Sequence, residues 1–198
     1  MTIHPFIARD DNEPFWLPQR RVTDGRVAYI DERETDRDGH SVLWVRQVSA
    51  SPHGRPMFGK IHAARQRQAV LQLLCQVCGG QPDRNDDGIL WLLPGTAPAG
   101  QLASPLEVCY PPICAACCAQ ALRQCPPLRA EHTLLRVERL APAGVAGIQV
   151  NDAGELTTDT PQWFRYGDPR LPMVIAEQQT IWLLGARPAI SPTTRHHL

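Results

Sequence analysis

Two short stretches hold the residue types best suited to chemistry: Cys75-Gln76-Val77-Cys78, with Gly79-Gly80 behind it, and Cys114-Ala115-Ala116-Cys117. Cysteines two residues apart point both thiolates at one ion, and two such pairs supply the four sulfurs of a tetrahedral zinc site. The glycines suit a sharp turn whose backbone N–H groups face the sulfurs. The second pair sits at the start of a predicted helix, where the positive end of the helix dipole favours thiolates. Cys75, Cys78, Cys114 and Cys117 are therefore the expected ligands, and Zn²⁺ the expected cofactor. The 35 residues between the pairs exceed the 15–20 of the compact two-pair pattern. Cys109 is the substitute ligand if one of the four is not used. Cys118, Leu122 and Cys125, spaced i, i+4 and i+7, mark one helix face and read as core packing.

The order of parts is a cysteine knuckle, a strand-rich middle, then a helix carrying the second pair in its first turn. It resembles a treble-clef zinc finger over about residues 61–126. HNH-type nucleases often carry this scaffold with two such knuckles. The resemblance would then imply an Asp-His pair between the knuckles, with an Asn and another His near the second. The corresponding strand here is ILWLLP, without His, and no histidine occurs between His62 and His132. Cys118 stands where such nucleases often have His. The resemblance thus implies a degenerate HNH-like scaffold, with an active nuclease as the alternative.

Four thiolates leave no open coordination position to activate water, so the expected role of the metal is structural. Other catalytic motifs fail on particular residues. PPICAAC approaches the P-C-x-x-C of zinc deaminases, but Ile113 intrudes and no H-x-E lies upstream. Gly54 to Ile61 meets G-x4-G-K, yet Ile61 replaces the Mg²⁺-binding Ser or Thr, and Pro56 removes a backbone donor. Asp83, Asn85, Asp87 and Gly88 begin like an EF-hand loop, but Pro94 occupies the bidentate Glu position, so a polar turn is expected. None of the five serines lies in G-x-S-x-G. The chain is expected to be a non-catalytic binding protein, its partner a nucleic acid or another protein. An enzyme or assembly factor with an unreadable site is the alternative.

Charge bears on the partner. Twenty basic residues balance twenty acidic ones, so the net charge favours neither nucleic acid nor membrane. Locally, Gly39–Pro82 contains no Asp or Glu and follows the acidic run DERETDRD. Arg55, Lys60, Arg65 and Arg67 in that segment are the candidate phosphate contacts. For a protein partner, PQWFRYGDPRLP (161–172) offers interface aromatics. No apolar run reaches the length of about 18 residues that a membrane helix needs. Seven cysteines without an export signal favour metal over disulfides and a cytoplasmic location.

These motifs must be positioned by a mixed α+β chain: a small domain built around the treble-clef zinc site, with flanking β-strands. RVAYIDE and SVLWVRQV read as a strand pair, SASPHGRPMFG as a loop, and KIHAARQRQAVLQLL as a helix entering Cys75. ILWLLP is a buried strand, and CAACCAQALRQC a helix stopped by Pro126 and Pro127. HTLLRVERL, GIQV and ELTT are further strands, the last two joined by a turn at NDAG. Trp163, Phe164 and Trp182 are expected to pack back. The consecutive regions are a β-rich 1–60, the zinc-binding 61–130, a β-rich 131–190 and a frayed tail at 191–198.

Overall fold

A computed structural model describes residues 3–14, 17–50, 54–96 and 105–189. Helix and strand are mixed, with three α-helices and four sheets among the described residues. By contacts the chain divides into two compact units, each assembled from separated segments. One comprises Met1–Ala8, Arg65–Pro142 and Ile181–Leu198; the other comprises Arg9–Ala64 and Ala143–Thr180. No described helix is long and apolar enough to cross a membrane.

The first unit is organised by the strand Gly88–Pro94, which pairs antiparallel with His132–Val137. Arg84–Asn85 and Arg187–Pro188 complete this sheet. The run ILWLLP is apolar without alternation because both sheet faces are covered. Ile89, Trp91 and Leu93 enter one core with Leu135, Val137, Ile181 and Leu183. Leu90 and Leu92 enter another, with Leu134, Ile113 and the cysteines Cys75, Cys117 and Cys118. One face of the sheet therefore packs on an ordinary hydrocarbon core and the other on a core containing candidate ligands. The helix Ala115–Gln124 lies on the cysteine side, contributing Cys117, Cys118 and Ala121.

In the second unit, residues 144–147 of the strand Arg139–Gln149 pair antiparallel with Gln162–Arg165. Ile175 and Ala176 of Val174–Leu184 pair in parallel with Leu43 and Trp44. Two apolar clusters follow, one around Tyr29, Leu43 and Ile175, the other around Phe164, Val174 and Trp44. Asp36 anchors the loop before Leu43. It receives Arg46 at 2.8 Å from Nε and the Arg33 backbone N–H at 2.7 Å. The guanidinium of Arg46 also lies over the Tyr29 ring, 4.8 Å from its centroid.

Several expectations are corrected. Arg26–Tyr29 pairs not with the 41–48 segment but with Arg20–Thr23. A two-residue turn at Asp24-Gly25 joins them, with φ of 51° and 68°. Such Asp-Gly turns match the twist of a hairpin, and the signal was present in the sequence. Part of the expected loop 49–59 belongs to a strand, Pro56–Ile61, and the helix is confined to Ala63–Leu71. Pro126 both ends one helix and starts another, Pro126–Ala130, because proline is well suited to the first helical position. NDAG does form a turn, closed by the Val150–Leu156 bridge, but ELTT does not extend into a strand. Of the three tail aromatics, Phe164 is buried, Trp182 half-buried and Trp163 exposed. The tail 191–198 and most of the 95–105 loop lie outside the described residues.

Candidate metal centre

The first cysteine pair is held by a backbone turn. The Cys75 N–H donates to Gly80 O at 2.7 Å, and the Gly79 N–H donates back to Cys75 O at 2.8 Å. Gly79 sits at φ +69°, in the left-handed region, and a Cβ there would lie 3.0 Å from the Phe6 ring. Two reasons therefore favour glycine at this position. The N-terminal segment straps the turn from outside: Phe6 and Ile7 donate backbone N–H groups to Val77 O and Gln76 O. Sequence reasoning missed this strap, because residues 3–7 carry no metal-site pattern.

The second pair is placed by the helix. Cys114 is its N-cap, with extended backbone, and the Cys117 N–H donates to Cys114 Sγ at 3.4 Å. The segment between Leu106–Val108 and the helix ties both pairs to the central strand. Gln76 N–H donates to Pro112 O, Ile113 N–H to Leu90 O and Asp83 N–H to Ile113 O. Pro111 and Pro112 keep this segment extended, with Ile113 buried behind the sulfurs.

The result is convergence. The Sγ atoms of Cys75, Cys78, Cys114 and Cys117 all lie within 4.8 Å of one another, and Cys78 and Cys114 are 4.0 Å apart. Zn–S bonds of about 2.3 Å in a tetrahedron place sulfurs about 3.8 Å apart, so modest contraction would close the group on an ion. The backbone is already aimed at it. Cys114 N–H reaches Cys75 Sγ at 3.4 Å, Val77 and Cys78 N–H groups also bond Cys75, and Gly80 N–H bonds Cys78. Such donors stabilise negative sulfur in place of water.

Electrostatics set Cys78 apart from Cys75 and Cys117. Burial pushes Cys75 and Cys117 up, and neighbouring sulfurs add to the rise at Cys117. Burial also acts on Cys78, but the Gly80 N–H and the other three thiols outweigh it and hold Cys78 low. Four crowded thiols cannot all ionise without a cation between them. Four soft sulfur donors this close together could hold a metal ion.

Cys109 lies outside the group; burial pushes its thiol up to about 11, and its carbonyl accepts from Gln66 Nε2. Cys118 is fully buried in the core beside Cys75 and Cys117, whereas Cys125 is half-buried and stands outside that core. The four candidate phosphate contacts are not brought together in one unit. Arg55 and Lys60 are exposed in the second unit, whereas Arg65 and Arg67 belong to the first. Arg65 is buried, its Nη2 donating to Ala8 O.

Within residues 83–88, Asp86 and Asp87 form the polar turn that joins Arg84–Asn85 to Gly88–Pro94. Gly54–Ile61 runs into a strand, not a loop at a helix N-terminus, which removes the phosphate-cradle reading. A cavity of about 270 Å³ in the second unit is lined by His40, Ser41, Val42, Leu171, Pro172 and the Asp24–Arg26 turn. The His40 ring stacks on Tyr166 at 3.6 Å. The cavity falls below the roughly 300–1,000 Å³ usual for small-molecule sites. No known family matches this chain, and no curated protein or solved structure matches it.

Proposed function

We propose that Cys75, Cys78, Cys114 and Cys117 hold one Zn²⁺ in a closed, treble-clef-like structural site, and that the chain is a metal-stabilised binding module. The observation that carries this reading is the convergence of four sulfurs from a glycine turn and a helix first turn within 4.8 Å. When bound, the metal would cross-link the two cysteine segments across the Leu90/Leu92 face of the central strand. With all four positions filled by thiolates, water has no place to be activated. The histidine-free ILWLLP strand supports a scaffold without HNH chemistry.

The test is a Cys75→Ser, Cys114→Ser double variant beside the native protein, compared by metal analysis and thermal unfolding. One zinc per chain in the native protein, none in the variant and a large loss of stability would uphold the reading. Structural zinc contributes an apparent ~10–16 kcal/mol in zinc-finger peptides. Two equally stable, metal-free proteins would overturn it.

A further inference from the structure

We propose that the cysteine cluster is also a thiol–disulfide switch, in which a hydroperoxide oxidises Cys78 and Cys114 then joins it in a disulfide across the two pairs. The inference rests on the metal-site reading above and names a regulation of that site.

The four sulfurs differ in access. Cys78 is exposed and Cys114 half-buried, whereas Cys75 and Cys117 are buried, at 0% and 9% exposure. Each pair therefore has an outer and an inner cysteine, and the two outer ones come from different pairs. Their Sγ atoms lie 4.0 Å apart. A disulfide needs about 2.05 Å, and Cys78, at the surface, has room to rotate through that gap. The backbones are already side by side. The Gln76 N–H donates to Pro112 O at 2.9 Å, and the Cys114 N–H reaches Cys75 Sγ at 3.4 Å.

The inner cysteines are poorer partners. Cys75 Sγ accepts that Cys114 N–H and packs with Leu90, Leu92 and Ile113, so turning it toward Cys78 would break both arrangements. Cys117 belongs to the same core. Cys109 and Cys125 lie outside the group of four, and Cys118 is fully buried. Access is what selects a thiol for oxidation, so Cys78 reacts first.

The chemistry balances with a peroxide as the oxidant. The Cys78 thiolate attacks one peroxide oxygen; an S–O bond forms, the O–O bond breaks, and the departing oxygen takes a proton from solvent. The Cys114 thiolate then attacks the Cys78 sulfur; the S–S bond forms, the S–O bond breaks, and hydroxide leaves to be protonated to water. The two electrons that reduce the peroxide are those the two thiolates lose.

The consequence follows from which sulfurs are joined. Only Cys75 and Cys117 remain as ligands, too few for a tetrahedral site. The disulfide ties the glycine turn to the helix N-terminus, the same two segments that a metal would join. The oxidised chain therefore gives up metal and keeps its fold, whereas a disulfide within either pair would leave the segments untied.

The test uses the full chain purified without added metal and treated with hydrogen peroxide. Metal release is followed with a chromophoric chelator, disulfides by mass spectrometry of non-reduced digests, and fold by circular dichroism. The expected result is a Cys78–Cys114 disulfide, metal released in step with it, an unchanged spectrum, and reversal by dithiothreitol with zinc. Cys78→Ser should slow release at least about tenfold. Should that variant bind no metal, differential alkylation of the native chain gives the same order, Cys78 lost first and Cys114 next.

A disulfide within either pair as the main product, oxidation of Cys109, Cys118 or Cys125 ahead of Cys78, metal retained after the disulfide forms, or unfolding on oxidation would each overturn the proposal. Zinc-loaded protein that forms no Cys78–Cys114 disulfide sinks only this inference. Protein that is metal-free as purified yet forms it sinks only the zinc site.

Discussion

Leu92 and Leu93 are neighbours on one strand, nearly equally buried at 2% and 6% exposure, and they face different cores. Leu92 packs in the cluster that holds Cys75 and Cys117, and Leu93 in the cluster of Trp91, Leu135 and Leu183. Truncating either to Ala removes the same atoms, and each should cost ~3 kcal/mol, within the 2–5 usual for Leu→Ala. The effect on zinc should differ. If the cysteine core can collapse around the Leu92 cavity only when the metal is absent, about half of that cost is relieved in the apo protein. That portion, ~1.4 kcal/mol, then appears as about tenfold weaker zinc binding. Leu93→Ala opens its cavity on the far side of the sheet and should leave zinc affinity within about twofold of native. Zinc affinity would be read by competition with a chromophoric chelator, and stability by urea unfolding. Equal zinc affinities in two equally destabilised variants, or weaker binding in Leu93→Ala, would refute the two-faced description of this strand.

Four further outcomes follow from particular contacts. Gly79→Ala places a side chain at φ +69° against Phe6; the left-handed conformation alone costs ~1–2 kcal/mol, so zinc should dissociate measurably faster in the same chelator assay. Asp36 is held below the usual carboxylate range by its bonds from Arg46 and then by the Arg33 N–H. A depressed native pKa gives stability that is present above the unfolded value of about 3.9 and lost as pH falls through the native value. Asp36→Asn should therefore flatten the fall in urea stability between pH 5 and about pH 3, and Arg46→Ala should cost ~3 kcal/mol at neutral pH by stranding Asp36. Glu177 has the opposite sign: burial raises its pKa, so its stabilising contribution is complete at low pH and lost as pH rises through the raised value. Glu177→Gln should thus be more stable than native at pH 7, with the advantage vanishing toward pH 4 in thermal melts.

The cysteine site was legible because ligand spacing is a local property. Cys75, Cys78, Cys114 and Cys117 needed only two turns of fixed geometry, and both helix and central strand lie within reach of short-range pattern. The run ILWLLP also announced a buried strand, though not that one of its faces would be lined by cysteines. What failed was pairing. Arg26–Tyr29 pairs with Arg20–Thr23 across the short Asp24-Gly25 turn, and the longer charged stretch that follows it in sequence is a competing turn signal. Leu43 and Trp44 pair in parallel with Ile175 and Ala176, and nothing local encodes a partner more than 130 residues away. Pro56–Ile61 was hidden by its glycine and proline content, which ordinarily marks loops. The strap of residues 3–7 carried no signal, since its contribution is made through backbone groups and the Phe6 ring. Among the candidate cations, sequence could not separate Arg65, folded inward onto Ala8 O, from the exposed Arg55 and Lys60.

Zinc-edge X-ray absorption on protein purified without added metal addresses the central claim most directly. The account predicts one zinc per chain in a shell of four sulfurs at about 2.3 Å, with no nitrogen or oxygen scatterer. A mixed shell containing nitrogen or oxygen, or folded protein with no bound metal, would contradict a closed four-cysteine site.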